Sequence, residues 1–179
     1  MPAAKQPEAL TLDRIATPIG TALVVTDEAG VLRAFNWTDY EPATLKWIAR
    51  RYPKARLVEG QGTLRPKFAA YFAGQVDALD DIAWDGAGTD FQRAVWKTLC
   101  SIPAGETWTY AQLAQRIGRP TAVRAVGLAN GSNPVALIVP CHRVIGSNGS
   151  LTGYGGGLHR KRWLLEHEGA KFDKSKAAA

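Results

Sequence analysis

The sequence is poor in the residues that form disulfides and bind metal ions. Its 179 residues include two cysteines and three histidines, and residues 1–89 contain neither type. Two cysteines could pair, but a cytosolic setting favours reduced thiols, so we expect Cys100 and Cys141 to be free. Cys100 ends a helical pattern and is expected to pack in the core. No spacing of these residues suits a metal cluster, and the sequence therefore predicts no metal site.

Long apolar runs are also absent. No stretch approaches the roughly 18 residues that a membrane-spanning helix needs, so we expect no association with membranes. Met1–Pro7 contains no apolar core of a signal peptide, which predicts a cytoplasmic protein. The hydrophobic content of 46% and the charged content of 21% are ordinary for a soluble globular protein.

Acidic residues are scarce in the second half of the chain. The net charge is +6, but residues 1–89 hold 10 Lys and Arg against 11 Asp and Glu, whereas residues 90–179 hold 12 against 5. The two halves therefore carry charges of −1 and +7, and the second half still carries +4 without its three lysines after residue 170. A basic field on one side of a molecule predicts a polyanionic partner such as nucleic acid.

Composition and turn residues divide the chain into two domains, which together predict an α+β fold. An acidic, irregular stretch, VDALDDIAWDGAG, separates a first part with both strand and helix patterns from a mainly helical second part. The predicted segments are an α/β support domain over 1–82, the end of a linker over 83–89, a helical domain over 90–170 and a disordered tail over 171–179.

The first domain contains one clear β-hairpin signal. TALVVTD and VLRAFNW are rich in β-formers and are separated by Glu-Ala-Gly, so they predict a hairpin over residues 21–37. Helical patterns follow over 42–51 and 63–73, with a possible strand in RLVEG between them. Nothing in this domain carries chemistry of its own.

Two capping boxes mark helix starts in the second domain. Thr89 and Thr109 each stand three residues before a glutamine, a pattern in which side chains satisfy the free amides of the first helical turn. The helix opened by Thr109 closes at Gly118. Pro120 is placed to begin another helix, which runs to about Asn130. Two short helices joined by a glycine-containing turn predict a helix-turn-helix.

Cys141 lies in the run IVPCHRVI, directly before His142 and Arg143. Only a thiolate attacks, and a free thiol has a pKa of roughly 8.5, so a nucleophilic cysteine needs an imidazole or a cation nearby. Adjacent side chains of a regular strand point to opposite faces. Either the backbone bends at Pro140, or a water bridges thiol and imidazole. A buried strand cysteine beside a surface histidine is the plainer alternative.

A glutamate ends the apolar stripe of a helix predicted over residues 159–169. In that position the Glu168 carboxylate would be partly buried and would need a partner. His142 is a candidate partner, which would give a relay from Cys141 through His142 to Glu168. Glu168 could equally be a solvated residue of the last turn, before a glycine that caps the helix. The sequence leaves both readings open.

Several segments of this chain resemble one known family. They are ATPIG, YFAG, FQRAVWKTL, YAQLA, RAVG, NGSNP, PCHRVIG, TGY and LLEHEG. They extend from about Ile15 to Gly169, and PCHRV between RAVG and HEG is a highly specific signal. The chain is similar to the O6-alkylguanine-DNA alkyltransferases (methylated-DNA–protein-cysteine methyltransferases), and most similar to the small stand-alone bacterial enzymes of that family.

The resemblance implies a function and a fold. In this family the alkyl group of O6-alkylguanine in double-stranded DNA passes irreversibly, after nucleotide flipping, to one cysteine, which matches Cys141. O4-alkylthymine is a second candidate substrate. The resemblance further implies one reaction per molecule, no cofactor, a monomer and an RNase H-like first domain. It also implies a helix-turn-helix whose second helix enters the minor groove.

The resemblance also assigns catalytic roles to five residues. Glu168 orients and charges His142, which takes the proton of Cys141 through a water. Tyr110 donates to guanine N3, and Asn133 braces the turns around the site. From the residues alone, Tyr110 could instead pack within the helix pair. A cysteine peptidase would use a similar set of side chains, but it would not need a basic second half.

Arg124 matches the arginine that fills the gap left by the flipped nucleotide. By sequence alone, a phosphate contact or a solvated helix charge explains this arginine as well. Gly155 stands where many relatives have serine. The other implied DNA contacts are Thr109, Ala125, Gly127, Ala129 and Asn130. The residues implied to form the alkylguanine pocket are Tyr154, Gly155, Gly156, Val144 and Lys161.

Overall fold

The structure, a computed structural model, describes residues 6–176 and has a mixed α+β fold, as predicted. The strands of its main sheet are β1 (Ala9–Thr17), β2 (Gly20–Asp27), β3 (Leu32–Trp37) and β4 (Arg56–Glu59). Two short strands, β5 (Trp108–Thr109) and β6 (Val144–Ile145), pair in parallel. The α-helices are α1 (Glu41–Arg51), α2 (Arg65–Phe72), α3 (Asp90–Leu99), α4 (Tyr110–Arg116), α5 (Val123–Gly131) and α6 (Leu158–His167).

The main sheet has the strand order β3-β2-β1-β4. The predicted hairpin is confirmed, because β2 and β3 pair in an antiparallel register. Its turn is shaped by Asp27, whose Oδ1 accepts hydrogen bonds from the amides of Ala29 and Val31, both at 2.9 Å. Gly30 supplies a φ of 79°, a conformation that glycine adopts without steric cost.

Strand β1 lies between β2 and β4, and sequence analysis missed it. Two charged residues, Asp13 and Arg14, interrupt its apolar alternation. The structure buries Asp13, which accepts hydrogen bonds from Arg65 Nε and the Gly62 amide, each at 2.9 Å. Because its partners are about 50 residues away, local patterning could not reveal this strand.

The sheet packs an apolar cluster on each face. One face lies beneath α1, where Leu12, Leu23 and Ile48 are buried. The other face, through Phe35 and Trp37, packs against the helical half in a cluster that extends to Cys141. The two predicted domains therefore share a continuous core.

The second half is built on the two predicted capping boxes, which are both present, at Thr89 and Thr109. Helix α4 ends at Arg116, and Gly118 follows with a φ of 71°. The expectation that Pro120 begins the next helix is wrong. Residues 119–122 form a turn instead, closed by a 2.9 Å hydrogen bond from the Ala122 amide to the Arg119 carbonyl, and α5 begins at Val123.

Cys100 is exposed, which corrects the expectation that it packs in the core. It follows Leu99, which is fully buried, and successive helical residues point about 100° apart. Both cysteines are free thiols, as expected. Within residues 6–176, none of the helices combines the length and apolar character needed to cross a bilayer.

The first part of the predicted tail contacts the helical half. Phe172 packs against the cluster of Ile145, Leu151 and Leu165, and the Asp173 amide donates to the Gly149 carbonyl at 3.2 Å. The end of that tail, from residue 177 onward, lies outside the described residues.

Candidate active site

Cys141 follows a sharp turn of the backbone. Its amide donates to the Val139 carbonyl at 2.8 Å, around Pro140 with φ −80° and ψ 62°, which is the geometry of an inverse γ-turn. A single 3-10 turn over Cys141–Arg143 leads into β6. The bend that the sequence offered as one alternative is therefore present.

Asn133 braces the loop that precedes this turn. Its Nδ2 donates to the Val139 carbonyl at 2.8 Å, and its Oδ1 accepts from the Val135 amide at 3.0 Å. Between these contacts Leu137 has a φ of 73°, a left-handed conformation that is unfavourable for a side chain bearing a Cβ. The asparagine bonds and the burial of Leu137 hold this conformation just before the cysteine.

The thiol of Cys141 is not activated at rest. Burial raises the pKa of this thiol, while the Asn133 side chain and the charge of Lys161 act in the opposite direction without compensating. Because only a thiolate is nucleophilic, this thiol would need a base to react.

His142, the next residue, contacts Glu168. Its ring is fully buried, and Nε2 lies 2.9 Å from Glu168 Oε1. Burial lowers the pKa of His142 below its ordinary value of 6.5, although Glu168 opposes this shift. The neutral ring donates its Nε2 proton to the carboxylate, so Nδ1 keeps its lone pair. That Nδ1 is buried and has no hydrogen-bond partner among the described residues.

The structure buries the carboxylate of Glu168, which was one of the two alternatives that the sequence left open. Burial alone would raise the pKa of this carboxyl, but His142 and Arg143 hold it well below its usual range. Arg143 donates from Nε to Oε2 at 3.0 Å and from Nη2 to Oε1 at 2.9 Å. Because an arginine stays protonated, it keeps Glu168 ionised whether or not His142 carries a proton.

The end of α6 fixes the backbone of Glu168. The Gly169 amide donates to Glu166, and the Ala170 amide donates to Leu165, which together form a Schellman motif. Gly169 has the left-handed φ of 72° that this motif requires. Glu168 is therefore the last residue before a rigid helix stop, and its side chain points inward.

Sequence analysis missed two partners of Glu168. Arg143 was considered a cation for the thiol, but its guanidinium binds Glu168 and the Ile102 carbonyl. Tyr71, on α2, donates from its hydroxyl to Glu168 Oε1 at 2.7 Å. A signal for Tyr71 existed in the YFAG segment, but its partner lies 97 residues further along the chain.

A cavity of about 240 Å³ adjoins Cys141. Tyr154, Gly155 and Gly156 line it from the glycine-rich loop, and Asn130 and Asn133 line it from the end of α5. The first half of the chain forms another wall, through Phe35, Asn36, Trp37, Thr44 and Trp47. The cavity therefore lies where the sheet meets the helical half.

The glycine-rich loop is packed tightly at one position and open at the next. A Cβ added at Gly156 would lie 2.6 Å from Trp37 Nε1, so only glycine fits there. A Cβ added at Gly155 would meet nothing within 4 Å. Space thus exists for a larger residue, such as serine, at the latter position.

Lys161 ties this loop to β6. Its Nζ donates to the Val144 carbonyl at 2.6 Å and to the Thr152 carbonyl at 2.8 Å. Burial lowers the pKa of Lys161 to about 8. The hydroxyl of Tyr110 lies 3.4 Å from the same Thr152 carbonyl, on the other side of the loop. Neither Tyr110 nor the side chains of Val144 and Lys161 line the cavity.

The residues expected to contact DNA are divided between the surface and the interior. Arg124 and Ala125 are exposed on α5, and Leu128, one turn after Arg124, is 70% exposed. Ala129 and Asn130 are buried, because they occupy the inner face of the same helix. Gly127, which packs on the Tyr110 ring, and Thr109, which caps α4, are partly exposed. Fewer residues of α5 are therefore exposed for contact with DNA than the sequence predicted.

Fold and site together define a class of protein, in which a buried cysteine, followed by a buried histidine that contacts a glutamate, adjoins a cavity between a small sheet and a helical half. A family model for the DNA binding domain of 6-O-methylguanine DNA methyltransferase matches residues 90–170. A methylated-DNA–protein-cysteine methyltransferase of Shigella flexneri is 48% identical over 161 residues, which are 88% of this chain and 94% of that protein.

Two crystal structures from Mycobacterium tuberculosis are similar to this fold. One, of O6-methylguanine methyltransferase, has a TM-score of 0.74 and 43% identity, and the match covers 95% of this chain and 96% of that one. The other, of OGT in complex with DNA, has a TM-score of 0.74 and 44% identity, with coverages of 89% and 92%. The chain belongs to the family of methylated-DNA–protein-cysteine methyltransferases.

Proposed function

We propose that this protein repairs DNA by transferring the alkyl group of O6-alkylguanine to Cys141, once per molecule. The observation that carries the proposal is the arrangement at the cavity: a buried thiol followed by a neutral His142 whose Nδ1 is free. The names of the relatives, and the DNA bound in one structural neighbour, support the same activity.

The reaction needs one proton transfer and one displacement. A water carries the thiol proton of Cys141 to His142 Nδ1, and Glu168 stabilises the imidazolium that forms. The sulfur then forms a bond to the alkyl carbon as the bond from that carbon to O6 breaks. The electron pair of the broken bond stays with guanine, and the proton held by the His142 imidazolium returns through water to neutralise the guanine and restore the neutral imidazole. Tyr110 donates a hydrogen bond to guanine N3 during this step.

No separate cofactor enters this sequence of steps. S-alkylcysteine has no route back to the thiol, and each molecule therefore acts once. The space beside Gly155 and the cavity wall at Tyr154 receive the base. The conformational freedom of the glycines lets backbone amides of this loop approach O6.

The helical half brings the damaged base to this site. Helices α4 and α5 act as a helix-turn-helix, α5 lies in the minor groove, and Arg124 occupies the gap left by the flipped nucleotide. Flipping costs a few kcal/mol of unstacking, which a side chain inserted into the stack offsets in part. The first half acts as an RNase H-like support, and the protein works as a cytoplasmic monomer.

Intact-mass measurement tests the proposal. After incubation with duplex DNA containing O6-methylguanine, the protein should gain the mass of one methylene group on the peptide that contains Cys141. Unmodified duplex should add nothing. Cys141→Ser should bind DNA and gain no mass, whereas Cys100→Ser, which removes the exposed thiol, should react like the native protein. Transfer of more than one methyl group per molecule would overturn single turnover.

A further inference from the structure

Glu168 Oε1 accepts three hydrogen bonds, and one of them comes from the first half of the chain. Tyr71 Oη lies 2.7 Å away, His142 Nε2 lies 2.9 Å away and Arg143 Nη2 lies 2.9 Å away. Oε2 accepts only from Arg143 Nε among the described residues. The tyrosine and the histidine thus share one acceptor oxygen.

Two contacts hold Tyr71 against the end of α6. Its ring packs edge-on against His167 at 5.2 Å, and its carbonyl lies 2.7 Å from His167 Nε2. The side chain of Tyr71 is 1% exposed, within the core that both halves share. Its hydroxyl therefore cannot turn to water and has Glu168 as its acceptor.

We propose that Tyr71 is a positioning residue for alkyl transfer, which sets the basicity of His142 by donating to the carboxylate oxygen that His142 also uses. The proposal rests on the proposed function. A carboxylate oxygen that already accepts one strong hydrogen bond is a weaker acceptor for a second donor. Removing the tyrosine hydroxyl should make Glu168 a better acceptor for His142, and the imidazolium form should become more stable.

The charged and titratable groups around the relay are consistent with this role. Arg143 and Lys161 face His142 and disfavour its protonation, and Glu168 favours it. Burial and Glu168 raise the pKa of Tyr71 above its ordinary range, so the phenol stays protonated as a donor. Asp80 lies further along the linker, where burial raises its pKa and Arg143 opposes the shift.

Tyr71→Phe tests the proposal, with Tyr52→Phe as the matched control. Tyr52 is as deeply buried, but it lies beneath α1 in the other cluster, and its hydroxyl has no hydrogen-bond partner among the described residues. Methyl-transfer rates should be measured from pH 5 to pH 9. In Tyr71→Phe the acid limb of the profile should move up by roughly half to one pH unit, which is about a 3- to 10-fold loss of rate at pH values on that limb. Tyr52→Phe should match the native profile.

A second readout does not depend on transfer. The imidazole of His142 can be titrated by NMR in the Cys141→Ser background, with assignment by loss of its signal in His142→Asn. Its pKa should be higher in Tyr71→Phe and unchanged in Tyr52→Phe. A rate loss of equal size at every pH, with no change in the His142 titration, would reduce Tyr71 to a packing residue and overturn the proposal.

Incorporation of 3-fluorotyrosine at position 71 tests the same idea without removing the hydroxyl. The fluorinated phenol is a stronger donor, so the His142 pKa and the acid limb should both move down. If the phenylalanine variant does not fold, the fluorotyrosine protein provides the test. A His142 pKa that stays the same or rises in that protein overturns the proposal. Failure of the native protein to transfer methyl groups would instead refute the proposed function and would leave the NMR comparison valid.

Discussion

The two halves of the molecule differ in net charge, which is −1 over residues 1–89 and +7 over residues 90–179. Both halves contain paired cations, as in Arg33 with Asp27 at 2.7 Å and Arg65 with Asp13 at 2.5 Å in the first half. In the second half, Arg119 and Arg124 form no ion pair with any residue in the described range. Unpaired arginines on one surface attract a polyanion, whereas paired ones stabilise a fold.

The comparison is less simple in the interior. The residues proposed to act on the alkyl group all belong to the second half, but the first half supplies one wall of the cavity through Trp37 and one hydrogen bond through Tyr71 of α2. Arg160 also reaches back to the first half, where it binds Asp39 at 2.9 Å and the Ile19 carbonyl at 2.8 Å. The first half thus contributes to the shape and the electrostatics of the site.

The strongest test of this division is removal of the relay. His142→Ala and Glu168→Gln should each slow methyl transfer by roughly 10²–10⁴-fold, because the buried thiol then lacks a base with the correct tautomer. DNA affinity should barely change, since both side chains lie inside the protein. Single-turnover rates and DNA titrations measure the two effects. His159→Ala, an exposed histidine at the start of α6, is the control and should react normally. A decrease of only a few-fold in the transfer rate would contradict the roles proposed for His142 and Glu168.

A smaller effect is expected at the DNA surface. Arg124→Ala should slow repair of duplex DNA by on the order of tenfold and leave the reaction with free O6-methylguanine base nearly unchanged, because a free base needs no flipping. Binding of the native protein should weaken steeply with salt. The comparison variant is Arg56→Ala, an exposed arginine of the first half, which should change neither rate. Equal slowing on both substrates would place Arg124 in folding or chemistry.

How much the sequence could predict depended on the distance between partners. The capping boxes at Thr89 and Thr109 were predicted correctly because both partners lie within four residues. Cys141 and His142 could be singled out because they are adjacent. The burial of Glu168 stayed open, since a helix pattern gives the face of a residue but not what covers it.

Features that depend on tertiary packing were not predictable from patterns. Tyr71 meets Glu168 across 97 residues, and β1 is held by a buried ion pair of Asp13 with a residue of α2. Cys100 was misplaced because it borders the apolar face of α3 without belonging to it. The burial of Ala129 near the end of α5 could not be predicted from the helix pattern alone.

The smallest predicted effect concerns stability, and it sharpens the comparison between the halves. The folded pKa of Glu168 is depressed below 4.5, so the stability it contributes is present above that pH and is lost as the pH falls through the folded pKa. The folded pKa of His142 is also depressed, below 6.5, so the unfolded chain takes up a proton below that pH before the folded one does. Both groups make the free energy of unfolding rise with pH up to about 6.5.

Denaturant unfolding between pH 3.5 and pH 7 measures this slope. Glu168→Gln should flatten it below about pH 4.5, and His142→Asn should flatten it between about pH 5 and pH 6.5, because each variant removes the group that titrates there. Glu59→Gln, whose carboxylate in the first half is 71% exposed and pairs with Arg14, should leave the slope unchanged. If Glu59→Gln flattened the slope as much as Glu168→Gln, the acid sensitivity would belong to the surface ion pairs of the sheet. The relay would then not be the part of the molecule whose charge is most strongly coupled to folding.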